Sequence, residues 1–286
     1  MLNSSSNGPA PRAVSRPADP PQLSNSEFER IAERVHATTG IVLQDHKRVL
    51  VRSRISKRLR ELGLNSFDAY LNYLETPEGE NETIAFCNAI TTNLTSFFRE
   101  MHHFEHMRDN LEHMPLKENS RLRIWSAGCS SGEEPYSIAM TLLSCPAAMR
   151  VKDTKILATD IDTRVLEKGR GATYRSKTAE DIPPVYRRFL TPDETENHVT
   201  VAQEAQDMIA FKRLNLFSKW PLTGRFDFIF CRNVMIYFSA ENKSQLVENF
   251  VQYLKPNGFL YLGHSESIMQ AHPNLVPEGR TTFRRV

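Results

Sequence analysis

Apolar residues recur every three or four positions in the first third of the chain, which is the spacing of amphipathic helices. A capping sequence, SNSE at residues 24–27, precedes the first of these runs, and Gly63 is placed to end the second. Residues 24–90 are therefore predicted to form a small all-helical domain. Its helices are expected from about residue 28 and over 47–62, 67–74 and 78–90.

The pattern changes after residue 120, where short β-prone runs alternate with helical stretches. This alternation indicates βαβ units and a parallel sheet, and right-handed connections place helices on both of its faces. Residues 190–213 differ because Val199 and Val201 alternate with polar neighbours, which predicts a small antiparallel β-subdomain. The expected strands cover 121–125, 154–159, 226–230 and 258–262, and the expected helices cover 134–143 and 164–170.

Composition limits the class of protein. The 286 residues are 40% hydrophobic and 24% charged, which suits a globular chain with one large and one smaller domain. A net charge of +2 means that attraction to an acidic partner must come from a local patch. Without a membrane span, a secretory signal or paired cysteines, we expect a cytoplasmic protein with no membrane insertion. The proline- and serine-rich residues 1–23 are predicted to be a disordered tail, and 91–120 a connecting helical segment.

A loop of small residues between a predicted strand and a predicted helix is the first candidate for chemistry. Residues 124–134 read IWSAGCSSGEE. Small side chains let a ligand approach the backbone, and the helix N-terminus offers free N–H donors. The same pattern also describes a plain tight connection. It lacks the G-x-G-x-x-G spacing, which argues against a nicotinamide enzyme.

Two polar residues follow other predicted strands. Asp160 stands where an acid can accept hydrogen bonds from a ribose diol, although Asp160 or Asp162 can instead cap the next helix. Asn233 follows the strand 226–230, at the edge where open α/β sheets bind ligands, with a local turn as the alternative.

Residues 254–262 (LKPNGFLYL) add a helix end, a tight turn and a final strand, an order typical of the methyltransferase fold. In this order, the four features predict an α/β fold of the Rossmann-like methyltransferase class. Residues 121–286 are its expected extent, and S-adenosylmethionine is the expected cofactor.

Four longer segments resemble the CheR family of chemotaxis receptor methyltransferases, which methyl-esterify glutamates on bacterial chemoreceptors. The resemblance runs from about residue 24 to the C-terminus and includes GHSE at 263–266. It implies that the chain uses S-adenosylmethionine, releases S-adenosylhomocysteine and forms glutamate 5-O-methyl esters for chemotactic adaptation. The segments are TTNLTSFFRE at 91–100, SSGEEPYS at 130–137, TDID at 159–162 and CRNVMIYF at 231–238.

The resemblance also implies roles for single residues. Arg99 and Tyr237 match the catalytic positions near the transferred methyl group, and Asp160 matches the acid that contacts the ribose. No metal is implied. The matched cofactor-binding residues are Asn93, Thr95, Arg99, Glu134, Asp160, Asn215, Leu216, Asn233 and Val234.

A glutamate acceptor needs no general base, because a glutamate side chain ordinarily has a pKa of about 4.3 and is ionised at neutral pH. The task of the enzyme is then alignment of the reacting atoms. Our hypothesis is that Arg99 and Tyr237 orient the acceptor carboxylate. His102 and His103 lie near Arg99 in sequence, but we interpret them as helix-surface or hinge residues.

Seven basic residues and no acid lie between residues 47 and 60. Val51, Ile55 and Leu59 form an apolar stripe, which leaves the basic groups on the other faces of the helix. These groups form either a solvated face or a docking surface for an acidic partner. The resemblance identifies that partner as the glutamate-rich helical bundle of a chemoreceptor. The expected docking residues are Lys47, Arg48, Arg54, Lys57 and Arg58, and charge reversal at Arg54 and Arg58 is expected to weaken receptor methylation.

Three alternatives stay open. The β-subdomain at 190–213 matches a region that in some family members docks a receptor's C-terminal peptide, but it is equally well a structural excursion. A nucleic acid methyltransferase is possible because a basic helix neutralises phosphates, although the near-neutral charge argues against it. A non-catalytic adaptor that binds S-adenosylmethionine is opposed by the retained Arg99, Asp160, Asn233 and Tyr237.

Overall fold

The structure, a computed structural model, describes residues 21–193, 195, 197–268 and 271–286. Residues 1–20 of the predicted tail lie outside this range. Leu23 is buried in the core of the helical domain, so the prediction of disorder is wrong for that residue. Within the described ranges, no helix has the length and apolar character needed to cross a membrane.

Four helices around one core form the first part of the chain. Ser24 caps the first helix, because its hydroxyl accepts from the Glu27 N–H while Glu27 accepts from the Ser24 N–H. Gly63 ends the second in the left-handed conformation, as predicted. The shared core includes Ile31 and Tyr70. These helices are α1 (Asn25–Thr39), α2 (Arg48–Leu62), α3 (Phe67–Tyr73) and α4 (Glu82–Ile90).

Strands and helices then alternate over the rest of the chain. The helices are α5 (His102–His113), α6 (Glu133–Leu143), α7 (Pro146–Met149), α8 (Thr163–Gly171), α9 (Gln203–Gln206) and α10 (Ala240–Tyr253). The strands are β1 (Arg121–Ala127), β2 (Asp153–Asp160), β3 (Thr173–Arg175), β4 (Leu190–Asp193), β5 (His198–Val201), β6 (Ile209–Arg213), β7 (Phe226–Cys231), β8 (Leu254–Leu262), β9 (Leu275–Pro277) and β10 (Thr282–Arg285).

The main sheet has seven strands in the order β6-β2-β1-β7-β8-β10-β9. Its first five strands pair in parallel, which brings the carboxyl ends of β2, β1 and β7 together at one edge. The antiparallel strands β10 and β9 complete the other side of the sheet. The prediction that β8 is the final strand is therefore wrong.

The small antiparallel sheet has the order β3-β5-β4. The predicted extent of the β-subdomain, about 190–213, is wrong at both ends. It omits β3, which pairs with β5. It includes β6, which pairs in parallel with β2 in the main sheet, with Ile209 opposite Ile156. Alternating apolar residues identify each of these strands but not the sheet to which it belongs.

Helices cover both faces of the main sheet, as predicted. Successive residues of β1 show this, because side chains alternate between the faces of a strand. Ile124 packs in the same core cluster as Phe104 of α5 and Tyr136 of α6. Trp125 packs in a second cluster, where its ring lies 5.3 Å from that of Phe250 on α10.

Candidate active site

A cleft lies at the carboxyl ends of β1, β2 and β7, between the main sheet and the helical domain. Residues Ile41, Val42 and Lys47 of the helical domain line one wall, and the segment 90–96 crosses it. Every residue that the sequence predicts as catalytic or cofactor-binding lines this cleft. They are Asn93, Thr95, Arg99, Glu134, Asp160, Asn215, Leu216, Asn233, Val234 and Tyr237.

The loop after β1 brings its backbone close to the opposite wall. Gly128 has a φ of 80°, and a Cβ atom there would lie 2.4 Å from Cγ2 of Val234. Only glycine fits this position without strain. The N–H groups of Gly128 and Cys129 donate to the carbonyl of Thr159 at 2.8 and 2.9 Å, which fixes the loop beside the end of β2.

Asp160 ends β2 with its carboxylate buried beside this loop. Its Oδ2 accepts from the Ser130 N–H at 2.8 Å, and its Oδ1 accepts from the Asp162 N–H at 2.9 Å. An ionised carboxylate has about four acceptor positions, so Asp160 can accept further hydrogen bonds. Burial raises the pKa of Asp160 to about 6, although hydrogen bonds from the backbone N–H groups of Asp162, Ser130 and Ile161 lower it. The helix cap is Asp162, so the capping alternative does not apply to Asp160.

The connecting segment is not helical before α5, contrary to its prediction, and hydrogen bonds from its own side chains hold it at the cleft. Asp162 accepts from the Thr91 hydroxyl at 3.0 Å and from the Asn93 amide at 2.8 Å. Ser130 in turn donates from its hydroxyl to the Asn93 carbonyl at 2.9 Å. The side chain of Asn93 therefore contributes to holding the segment in place.

Two guanidinium groups influence the phenol of Tyr237. Burial raises the pKa of Tyr237, and the charges of Arg99 and Arg54 oppose that rise. Arg99 is partly exposed and donates to the Leu94 carbonyl at 3.1 Å. Arg54 of the helical domain donates to the carbonyls of Ile90 and Thr91 at 2.8 and 2.7 Å, and these two residues line the cleft. This corner of the site suits an anionic group.

A buried ion network connects the loop after β7 to α6. The Arg232 side chain is 2% exposed and donates to Oε2 of Glu134 at 3.0 Å. Its second terminal nitrogen lies 3.3 Å from Oε2 of Glu100 and also donates to the Arg99 carbonyl. Burial raises the pKa of Glu134 although Arg232 lowers it. Burial also opposes the charge of Glu100, but the hydrogen bond from His264 and the charge of Arg232 lower its pKa to about 2.

The helical domain contacts the cleft through the last turn of α1 and the segment that follows it. The Asn215 amide donates to the Thr38 carbonyl at 2.7 Å, and its Oδ1 accepts from the Phe217 N–H at 3.0 Å. The Val42 N–H donates to the Tyr237 carbonyl at 2.8 Å. Both groups of the Asn215 amide are therefore engaged within the chain, and this residue joins the two halves of the cleft.

Glu266 is a residue of the site region for which the sequence predicts no role, although it lies in the GHSE motif. Its buried carboxylate accepts from the N–H groups of Gly263, Asn233 and Ile236. Asn233 has a φ of 59° and donates from its amide to Glu100 at 3.3 Å, so it is both a turn residue and a residue of the cleft. The only sequence signal for Glu266 is its place at the end of GHSE.

The structure divides the basic residues of α2 into two groups. Arg58 contacts Glu82 through two hydrogen bonds of 2.8 and 2.6 Å, and Arg54 contacts carbonyl oxygens. Arg58 is therefore paired with an acid of the helical domain, whereas the guanidinium of Arg54 is hydrogen-bonded to backbone oxygens. Arg48 lies 4.6 Å from the centre of the Phe28 ring, and Lys47 lines the cleft. The Lys57 side chain is 73% exposed and lies 3.9 Å from the Glu61 carboxylate, and Arg60 is also exposed.

The prediction that His103 is a helix-surface or hinge residue is wrong. It is fully buried, and its Nε2 lies 3.1 Å from the Thr281 hydroxyl and 3.3 Å from the Arg280 carbonyl. Burial, together with the charge of Arg232, lowers its pKa to about 3, so the ring is neutral. His102, by contrast, is exposed.

Comparison with known proteins gives matches along nearly the whole chain. The family model described as the CheR methyltransferase SAM binding domain matches residues 93–282, and the model for the CheR methyltransferase all-alpha domain matches residues 26–91. A chemotaxis protein methyltransferase of Escherichia coli K12 is 42% identical, over 91% of this chain and 91% of its own. Chemotaxis protein methyltransferase 2 of Pseudomonas aeruginosa is 41% identical, over 90% of this chain and 92% of its own.

Proposed function

The chain belongs to the CheR methyltransferase family, and from that premise we propose that it methylates glutamate side chains of bacterial chemoreceptors. It is an S-adenosylmethionine-dependent methyltransferase. The proposed products are glutamate 5-O-methyl esters and S-adenosylhomocysteine, formed in the cytoplasm for chemotactic adaptation. The observation that carries the proposal is that all ten predicted site residues line one cleft.

The cleft fits the cofactor in its chemistry. Asp160 offers a buried carboxylate that can accept from the hydroxyls of a ribose diol, and Gly128 lets the loop after β1 lie close to Val234 beside it. The catalytic and cofactor-binding roles of the lining residues are part of our proposal. S-adenosylmethionine supplies an electrophilic methyl group on a sulfonium sulfur.

The residues of the chain would then align an acceptor that is already a nucleophile. A glutamate carboxylate is ionised at neutral pH, so the site has no need to remove a proton. Arg99 is partly exposed at the cleft, and its charge acts on Tyr237. We assign these two residues to orienting the acceptor carboxylate, which lowers the barrier through proximity.

Exposed apolar side chains at the cleft favour a protein acceptor over a nucleic acid. Leu94 is 82% exposed, and Val42 and Ile236 are about half as exposed. Leu94 and Val42 line the cleft, and Ile236 precedes Tyr237. Exposed apolar groups beside the cleft suit contact with another protein, whereas phosphates require cations.

The first experiment tests the acceptor itself. The purified protein is incubated with labelled S-adenosylmethionine and membranes that contain chemoreceptors, and the label is then released in alkali. We expect volatile labelled methanol, because an ester hydrolyses under these conditions. Label that survives alkali, or that is incorporated into nucleic acid, would exclude a carboxyl ester as the product.

The second experiment tests docking through α2. We propose that Lys57 and Arg60 contact the acidic receptor bundle, because their side chains are exposed and lie three residues apart on one helix face. Their reversal to glutamate is expected to raise the KM for receptor membranes by about tenfold, with the effect shrinking as salt rises. The Kd for S-adenosylmethionine, measured by calorimetry, should not change.

Arg121→Glu, compared with Lys57→Glu alone so that the net charge changes equally in both variants, is the control. Its side chain is 78% exposed at the start of β1, on the edge of the sheet opposite the cleft. An equal rise in KM in this control would mean that general charge, rather than α2, attracts the receptor. Charge reversal at Arg54 and Arg58 is a poorer test, because it breaks the contacts with the Thr91 carbonyl and with Glu82.

We extend the proposal to a second receptor contact at the small sheet. A C-terminal receptor peptide can add as a strand to a sheet edge, and β3 and β4 are the two edge strands here.

A further inference from the structure

The buried carboxylate of Glu266 is hydrogen-bonded to both loops that follow β7 and β8. Glu266 is 5% exposed. Its Oε2 accepts from the N–H of Gly263 at 2.6 Å and from that of Asn233 at 2.8 Å. Its Oε1 accepts from the N–H of Ile236 at 3.2 Å. A carboxylate that satisfies three backbone donors is a strong anchor, because hydrogen bonds to an ionised acceptor are stronger than neutral ones.

The anchored turn carries residues of the cleft. Asn233, Val234 and Tyr237 all line it, and Ile236 is bonded to Glu266 directly before Tyr237. The turn also contains a left-handed residue, because Asn233 has a φ of 59°. An asparagine tolerates that conformation, but it needs surrounding contacts to maintain it.

The opposite side of the turn is equally constrained. A Cβ atom on Gly263 would lie 2.5 Å from the Asn233 amide nitrogen and 2.7 Å from its backbone nitrogen. The turn therefore packs directly on the backbone after β8, and Glu266 connects the two at their point of contact. Movement of either loop would displace Asn233.

We propose that Glu266 is a positioning residue for methyl transfer, which rests on the function proposed above. Its charge fixes the turn 233–237 so that Asn233 and Tyr237 keep their places in the cleft. The side chain itself does not line the cleft. A neutral amide at position 266 would direct N–H groups at one or more of the three backbone donors and release the turn.

Asp227 provides a matched comparison on β7, the strand that precedes the turn. It lies near the start of β7, at the end far from the cleft, and is 6% exposed. It accepts from the Arg123 N–H at 2.8 Å and from Lys255 at 2.8 and 2.9 Å. Asp227→Asn therefore also weakens a buried, charge-assisted contact of β7, but it leaves the turn 233–237 untouched.

The experiment compares Glu266→Gln with Asp227→Asn in the full chain. Thermal unfolding, the Kd for S-adenosylmethionine and the kcat with both substrates saturating are measured for each. We expect both variants to unfold at lower temperature than the parent chain. Glu266→Gln alone is expected to lose at least about tenfold in kcat and to bind the cofactor more weakly, because small displacements of reacting groups are costly.

Equal kcat and equal cofactor Kd in the two variants would overturn the proposal and leave Glu266 a stability residue only. If Glu266→Gln does not fold, Gly263→Ala replaces it, since the added methyl group displaces Asn233 without altering the carboxylate. Normal kcat and Kd in that variant would equally overturn the proposal. The cofactor Kd needs no acceptor, so it tests Glu266 even if chemoreceptors are not the substrate.

Discussion

Replacement of Asp160 by alanine is expected to weaken S-adenosylmethionine binding by roughly two orders of magnitude, since hydrogen bonds to a charged group contribute about 1.5–3 kcal/mol each. The buried carboxylate holds the Ser130 and Asp162 N–H groups and has acceptor sites left for the ribose. Calorimetric titration with the cofactor measures the change directly.

The pH dependence of binding gives a second measure of the same residue. Burial raises the pKa of Asp160 to about 6. Only the ionised carboxylate accepts from both hydroxyls of a diol, so affinity should be constant well above that pKa. It should then fall by up to about tenfold for each pH unit below it. Asp160→Asn should abolish this dependence, because the amide does not titrate in this range.

Asp153 is the matched control, because it begins the strand that Asp160 ends. Its carboxylate pairs with Arg123 at 2.6 Å, away from the cleft. Asp153→Ala is expected to leave the cofactor Kd within about twofold of the parent chain, as a surface ion pair contributes little. If Asp160→Ala binds the cofactor as tightly as Asp153→Ala, the proposed ribose contact is wrong.

The sequence pattern alone predicts two residues of the cleft, because they follow directly on buried strands, and the resemblance to the CheR family supplies the others. Asp160 and Asn233 come after runs of apolar residues, and a parallel sheet brings such positions to one edge. No knowledge of side-chain contacts is needed for that step. Local periodicity was also enough to place α2, where Val51, Ile55 and Leu59 are buried as predicted.

The parts that sequence reasoning missed depend on partners far along the chain. Arg58 contacts Glu82, and Glu266 contacts the backbone N–H of Asn233, which no side-chain pattern can reveal. Strand β6 was assigned to the wrong sheet for the same reason, since only its pairing with β2 decides the matter. Periodicity reports which side of an element is buried but not what lies against it.

Loss of the Arg232 charge is expected to cause the largest change in stability. The guanidinium contacts Glu134 and Glu100 at 3.0 and 3.3 Å and is almost fully buried. Arg232→Met would leave two buried carboxylates without their cation, which costs about 3–5 kcal/mol of unfolding free energy. For a chain of this size, the loss corresponds to a fall in Tm of very roughly 6–20 °C, measured by calorimetry or circular dichroism.

The pH dependence of the unfolding free energy of Arg232→Met tests whether the two unpaired carboxylates cause its loss of stability. Without Arg232, burial is expected to raise the pKa of Glu134 further and to raise that of Glu100, so the folded variant binds more protons than its unfolded chain. Its stability should then fall as pH rises from about 5 to 8, because the slope follows the difference in bound protons. Adding Glu134→Gln should recover part of the lost stability.

Arg30→Met is the control, because it breaks the exposed pair with Asp68. It should cost less than about 1 kcal/mol of unfolding free energy at either pH. If the Arg232 variant lost no more than this control, the charge of Arg232 would not be what stabilises the two carboxylates.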